Sequence, residues 1–307
     1  MRISSWETES LTFGQEGSPL IKIKGGYLAF AANGEHLLAS GDKVARVWRV
    51  EDGKPMATLD AEGVLCLAVS KDGRWIAVGT LFGELSMWDA KTYKKDFSHG
   101  DYPGHRVSGV DFSPDSTRLV SASYNGTASV WDTATRKQVQ TLEHDRWVSA
   151  ARYSPQGDRI ATATHNSVRV WDSHNGRLLV DIKVEVIPRY NAGLLWFNNH
   201  LFVVSDSTIK EFDAFTGSAV SEWPVPEINY FNCIALAKHE EFIAYSTNRT
   251  VTFWDTATHT QLVLIQHSQD IGSIAFSPDD RFIAIGGKDG EITINSLSRI
   301  TVSILSR

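Results

Sequence analysis

By residue type, the side chains that could do chemistry are ten histidines and two cysteines among 307 residues, with acidic pairs at Asp279-Asp280 and Glu240-Glu241. Metal binding needs His, Cys or carboxylate groups at ligand spacing, and nucleophilic catalysis needs a nucleophile with a base at hand. Neither pattern occurs: the sequence has no HExxH, CxxC or GxSxG and no phosphate-cradling glycine loop. The histidines stand singly. The acidic pairs fall between strand-like runs, where adjacent carboxylates are solvated and face no partner across a cleft, unlike a glycosidase pair. These features predict no catalytic residue, no metal, no cofactor and no enzyme activity.

The elements that carry these residues are set by a repeat. Trp48, Trp88, Trp131, Trp171 and Trp254 recur, four of them followed by Asp89, Asp132, Asp172 and Asp255; Phe212-Asp213 and Asn295 continue the series. The steps are 40, 43, 40, 41, 42 and 41 residues. About nineteen residues upstream a second marker keeps step: FAANG, VSKDG, FSPDS, YSPQG, LAKHE and FSPDD. Runs of alternating apolar residues flank each marker, a third run carries the Trp and a fourth follows. Each repeat therefore predicts four short strands separated by tight turns. Such units bury their faces only against neighbours, so the array must stack and close.

The WD dipeptides, the FSPD turns and the Gly104-His105 pair resemble the WD-repeat β-propeller family over essentially the whole chain. The resemblance implies an all-β fold, a seven-bladed β-propeller of four-stranded antiparallel blades forming one domain over 1–307. An N-terminal seam strand would occupy 1–24, with blades at about 25–60, 61–102, 103–143, 144–185, 186–224, 225–266 and 267–307. Trp6-Glu7 is in phase with the series and SLTF is a possible fourth strand, although EITINSL and ITVSIL already supply the last blade. Two readings stand: a seam strand joining the blade-seven sheet, or a piece of a longer array. The bare edge left by an incomplete blade favours the seam.

In the family, the Trp shares a buried network with a His ahead of the first strand, a Ser or Thr on the second and an Asp in the turn after it. The resemblance carries these roles onto His105, Ser121 or Ser123, Asn125 and Trp131 of blade three. In blade four they fall on His144, Thr162 or Thr164, Asn166 and Trp171. Asn in place of Asp accepts from an indole or imidazole N–H but brings no charge, so weaker networks are expected. Blade seven keeps His267 and Asp289 but has Asn295 for Trp, and blade two has Phe82 where the Asp belongs. Cys66 and Cys233 share a first-strand position four blades apart, too far for a disulfide, and are expected to be buried thiols.

The family's partners commonly dock on the face formed by the loops entering strand one and the turns joining strands two and three. Carried over, that face displays Phe82, Tyr102, Arg106, Tyr124, Arg146, Trp147, His165, Tyr190, Tyr230, Phe231 and Lys288. Aromatic residues and arginine dominate binding hot spots. Trp75, Trp147, Trp196 and Trp223 lie outside the period, and of these only Trp147 stands where a partner is expected. The expectation is a scaffold for protein–protein interaction, binding a protein or peptide. One alternative is a propeller enzyme or small-ligand receptor at the channel mouth, though the first strands look apolar. Another is the sensor portion of a larger signalling protein.

A net charge of −6 and the lack of any basic block predict no nucleic-acid partner. No apolar run approaches the roughly 18 to 20 residues of a membrane helix, so no membrane is expected. A monomeric ring or a part of a larger complex is anticipated, in the cytoplasm with the nucleus left open.

Overall fold

The computed structural model describes residues 10–12, 27–40, 44–100, 105–186, 193–205, 208–225, 233–237, 242–287 and 290–297. None of these is helical. The first strand is β1 (Ser10–Thr12). Blade one follows as β2 (Leu28–Phe30), β3 (His36–Ser40), β4 (Ala45–Arg49) and β5 (Pro55–Leu59), and blade two as β6 (Val64–Val69), β7 (Trp75–Thr80), β8 (Leu85–Asp89) and β9 (Lys95–His99). Blade three is β10 (Val107–Phe112), β11 (Arg118–Ser123), β12 (Thr127–Asp132) and β13 (Gln138–Glu143); blade four is β14 (Ala150–Tyr153), β15 (Arg159–Ala163), β16 (Ser167–Asp172) and β17 (Leu178–Lys183). Blade five contains β18 (Leu194–Phe197), β19 (His200–Ser205), β20 (Thr208–Asp213) and β21 (Ala219–Pro224). Blade six contains β22 (Ile234–Leu236), β23 (Phe242–Thr247), β24 (Thr250–Asp255) and β25 (Gln261–Gln266). The last blade has β26 (Ile271–Phe276), β27 (Phe282–Gly287) and β28 (Ile292–Ser296).

Neighbouring strands are antiparallel in seven four-stranded sheets. In the seventh, β1 pairs with β28 in the register Ser10 to Asn295, so SLT takes the outer position. The ITVSIL segment, expected as that blade's fourth strand, and Trp6-Glu7 lie outside the described residues.

Seven apolar clusters hold the sheets together, each between two consecutive blades. Val120, Ala122, Leu142 and Val148 meet Tyr153, Ile160 and Trp171 between blades three and four. Leu28, Phe30, Leu37 and Trp48 meet Ala284, Ile292 and Ile294 between blades one and seven, which closes the ring. The Leu28 N–H also donates to the Ser273 Oγ across that junction at 3.1 Å. Strands covered on both faces have no reason to alternate: β7 and β23 are buried at every position. In the outer strand β13, only Leu142 is buried.

The third-to-fourth strand turns explain the Trp-Asp dipeptide. A β-bulge lies at the Trp or Phe position of all six such pairs from blades one to six. The aspartate behind it turns its carboxylate onto the following backbone: Asp132 Oδ1 accepts from the N–H of Thr135 at 2.8 Å and Ala134 at 3.0 Å. Asp89, Asp172, Asp213 and Asp255 do the same. Five residues after the Trp the chain enters positive φ, at Gly53, Tyr93, Arg136, Gly176, Gly217 and His259.

A side chain in that conformation is strained, and the three non-glycine residues each reach the preceding blade. Tyr93 Oη meets His36 Nδ1 at 3.2 Å. Arg136 lies 4.4 Å from the Trp75 ring centroid, and His259 stacks on Trp223 at 4.4 Å. At Gly217 the preceding blade comes too close for any side chain, since a Cβ would meet Val180 Cγ1 at 2.7 Å.

Candidate functional site

The structural network forms from fewer residues than the family pattern assigns. Trp131 Nε1 donates to Ser121 Oγ at 2.9 Å, and Trp171 Nε1 donates to Thr162 Oγ1 at 2.8 Å. His144 completes the second set, its Nε2 standing 2.8 Å from Thr162 Oγ1 and its Nδ1 3.0 Å from the Leu142 carbonyl. A carbonyl only accepts, so Nδ1 carries the hydrogen and Nε2 accepts from the Thr162 hydroxyl. Burial, with the Arg169 charge nearby, lowers the His144 pKa to about 4.

The assignments of His105, Asn125 and Asn166 to this network are corrected. His105 is exposed, and the imidazole against Trp131 is that of His99, with ring centroids 4.6 Å apart. Asn125 Oδ1 caps its own turn by accepting from the Thr127 N–H and hydroxyl, while Asn166 Oδ1 accepts from the Thr164 hydroxyl. Each amide is engaged within its own turn, which keeps it from the indole. Cys66 is fully buried, its pKa pushed up to about 12 by desolvation; Cys233 is only partly buried, and its Sγ lies 3.0 Å from the Gly272 carbonyl.

Antiparallel order places the loops entering the first strands on the same face as the second-to-third strand turns. There the segment 144–148 lies across the turn 123–126. The His144 N–H donates to the Gly126 carbonyl at 2.9 Å and the Val148 N–H to the Ser123 carbonyl at 3.1 Å. Gly126, at φ +90°, permits this approach, since a Cβ would lie 3.1 Å from the His144 oxygen. Val148 is buried, while its neighbour Trp147 is 64% exposed. Trp147 stacks on Tyr124 of blade three at 5.1 Å and an interplanar angle of 7°, and Arg106 lies 5.7 Å from the Tyr124 centroid.

Between blades three and four this arrangement bounds a cleft of about 700 Å³. Tyr124, Arg146, Trp147 and His165 line it together with His105, Asn125 and His144, and Arg106 adjoins it through Tyr124. Phe82 stands apart, 57% exposed over Gly63 of its own blade. Tyr102, Tyr190, Tyr230, Phe231 and Lys288 lie outside the described residues. Sequence reasoning missed Asp145, Gly126 and Ser149 in the lining; the Asn-Gly pair at 125–126 was the turn signal that could have found the glycine. Asp145 Oδ1 is paired with Arg169 Nη2 at 3.0 Å.

The inner strands are less apolar than the alternation suggested. Asp111 on β10 and Arg152 on β14 are partly buried: desolvation pushes the Asp111 pKa up and the Arg152 pKa down, each opposed by the other's charge. Asp111 Oδ2 accepts from the Tyr153 N–H at 2.8 Å, and Arg152 Nη1 donates to the Ala151 carbonyl at 3.1 Å. Both are occupied by the wall that holds them. Among the described residues, no group of three or more His, Cys, Asp or Glu could hold a metal ion.

Seven antiparallel blades closed by apolar seams define a β-propeller. The family model described as "WD domain, G-beta repeat" matches residues 53–89, 97–132, 136–172 and 259–294. The chain belongs to the WD-repeat β-propeller family. The segments matched at 53–89 and 97–132 begin just before and on the outer strand of one blade, respectively, and end at the Trp-Asp of the next, so the sequence repeat straddles two blades.

The chain is 31% identical to periodic tryptophan protein 2 of Arabidopsis thaliana over 165 residues, 51% of this chain and 18% of that protein. It is 22% identical to the U3 small nucleolar RNA-associated protein 15 homolog of Gallus gallus over 267 residues, covering 85% and 43%. Similarity to the guanine nucleotide-binding protein subunit beta of Zea mays is 23% over 217 residues, covering 61% and 55%. In each case the match spans less than two thirds of the relative.

Proposed function

We propose that this chain, as one propeller domain, is a non-enzymatic interaction module that holds a protein or peptide on the loop face around the channel. Arg106, Tyr124, Arg146, Trp147 and His165 are its central contacts, with Phe82, Tyr102, Tyr190, Tyr230, Phe231 and Lys288 along the same rim. The observation that carries this reading is Trp147, a 64% exposed indole held on Tyr124 at the edge of a cleft. Trp75, Trp196 and Trp223, the other tryptophans outside the period, are all buried. An exposed aromatic on a rigid loop gives up little conformational freedom on binding and buries a large area.

The relatives' names pair a G-protein subunit with a nucleolar RNA-associated protein, so they do not select the cytoplasm over the nucleus for this chain. The test is site-specific photocrosslinking in native lysate, with a photoreactive residue replacing Trp147 or, on the opposite face, Phe215. Crosslinked protein partners are expected at position 147 and lost in the Tyr124, Trp147 and Tyr230 triple-alanine variant in affinity capture. Crosslinks at 215 alone, or equal capture by the triple variant, would overturn the assignment of the face.

A further inference from the structure

We propose that the cleft between blades three and four takes an acidic linear peptide in which an aromatic residue is flanked by Asp or Glu. The partner's ring stacks on Trp147 and a flanking carboxylate pairs with Arg146. This rests on the loop face being the binding site and adds the chemistry of its occupant.

Tyr124 covers one face of the Trp147 indole in a near-parallel stack, yet the residue remains 64% exposed. The opposite face of the indole is therefore bare, and a flat apolar plane beside a cleft is matched by another ring. The stack spans two blades, and the loop bearing Trp147 is tied to the turn bearing Tyr124 through Gly126 and Ser123. The platform is thus in place before a partner arrives.

Asp145, the carboxylate in the cleft lining, is already neutralised by Arg169. His144 is held neutral by burial. Arg146 is exposed and makes no ion pair among the described residues, and Arg106 stands against the Tyr124 ring. The cleft lining has one exposed guanidinium, Arg146, and a single carboxylate that Arg169 already pairs, on a chain whose net charge is −6. An acidic segment finds its local attraction here, which fixes where it docks. Single-stranded RNA also uses stacking and arginine, but it needs successive aromatic platforms and a basic track following the backbone. One stack and one exposed guanidinium fit a single side chain with its neighbour.

The test is fluorescence anisotropy on the full chain with fluorescein-labelled peptides EEDFDEE, SSGFGSS and KKKFKKK and a short labelled oligouridylate. The acidic peptide is expected to bind best, with affinity falling as salt rises. Trp147→Ala and Arg146→Glu should each weaken it by about 10-fold or more, while Arg146→Lys keeps most of it. Both residues are exposed, and unchanged melting temperatures will confirm that the variants fold. Equal binding of the acidic and neutral peptides, tighter binding of oligouridylate, or an Arg146→Glu variant that binds like the parent would overturn the proposal. Absence of binding by every probe while the crosslink at position 147 still forms would overturn the acidic chemistry and leave the loop-face reading standing. Loss of that crosslink would remove both.

Discussion

On the face formed by the first-to-second and third-to-fourth strand turns, the same side-chain hydrogen bonds recur from blade to blade. Ser70, Ser113, Ser154 and Ser277 each accept from the N–H five residues on and donate to Asp72, Asp115, Asp158 and Asp279. On the opposite face some backbone ties recur but the side chains do not. The central turn residues between the second and third strands are Leu81-Phe82, Tyr124-Asn125, His165-Asn166 and Asn248-Arg249 in blades two, three, four and six. Turns whose polar groups are satisfied internally fix the ring and offer a partner little. Turns held by backbone ties and by local bonds such as those of Asn125 and Asn166 leave Arg146 and Trp147 exposed beside them, so binding chemistry can change there without disturbing the fold.

The sharpest way to break this comparison is to exchange the roles of two tryptophans. Trp131 is 4% exposed, within the cluster between blades two and three. Trp131→Ala should cost about 3 to 5 kcal/mol, the range for emptying a buried aromatic site. Trp147→Ala on the loop face should change stability by no more than about 0.5 kcal/mol. Chemical denaturation of both variants decides it: similar losses would mean that the loop-face indole is structural after all.

Periodicity made Trp131 and Trp147 distinguishable before any coordinates, because one is in phase with the series and the other is not. It did less well with the histidines. His99 and His105 lie six residues apart on either side of a blade junction. The repeat sets strand register but not the path of the loop between strands, so which imidazole meets Trp131 was not readable. The positive-φ turn position was half visible, as Gly53, Gly176 and Gly217. Tyr93, Arg136 and His259 occupy the same place with no glycine to mark it, and their partners lie in other repeats. The mutual charge effect of Asp111 and Arg152 was hidden for the same reason, since alternation gives the side of a strand and not the neighbour across it.

A smaller effect is expected from the repeating turns. Asp132 accepts two backbone N–H groups and the Thr135 hydroxyl, and pairs with Arg118. Asp132→Ala should cost about 1 to 2 kcal/mol, from the usual worth of charged hydrogen bonds discounted for exposure. The Thr135 contacts lead in holding the Asp132 pKa down to about 2. The carboxylate's contribution is therefore fully present above the ordinary value near 4 and is lost as pH falls toward 2. The gap in stability between parent and variant should close over that window while binding on the loop face at neutral pH is unchanged. A variant with parental stability but weakened peptide binding would contradict the division of labour between the faces.

The smallest expected effect lies where the two faces' principles meet. His144 belongs to the buried network through Thr162 and Trp171, yet it begins the segment that carries Trp147. Burial leads in lowering its pKa to about 4, with Arg169 acting in the same direction and Leu142, Asp145 and Asp181 opposing. An unfolded histidine titrates near 6.5, so the unfolded state binds the extra proton first. The stability contributed by neutral His144 is present above about pH 6.5 and drains away as pH falls toward about 4. His144→Gln removes the titration, so its melting temperature should fall less steeply than the parent's across that window. Because the folded protein keeps His144 neutral until about pH 4, this histidine should cause no difference in acidic-peptide affinity between parent and variant over most of that range. Parallel melting curves for the two proteins would show that neutral His144 contributes no pH-dependent stability to the network.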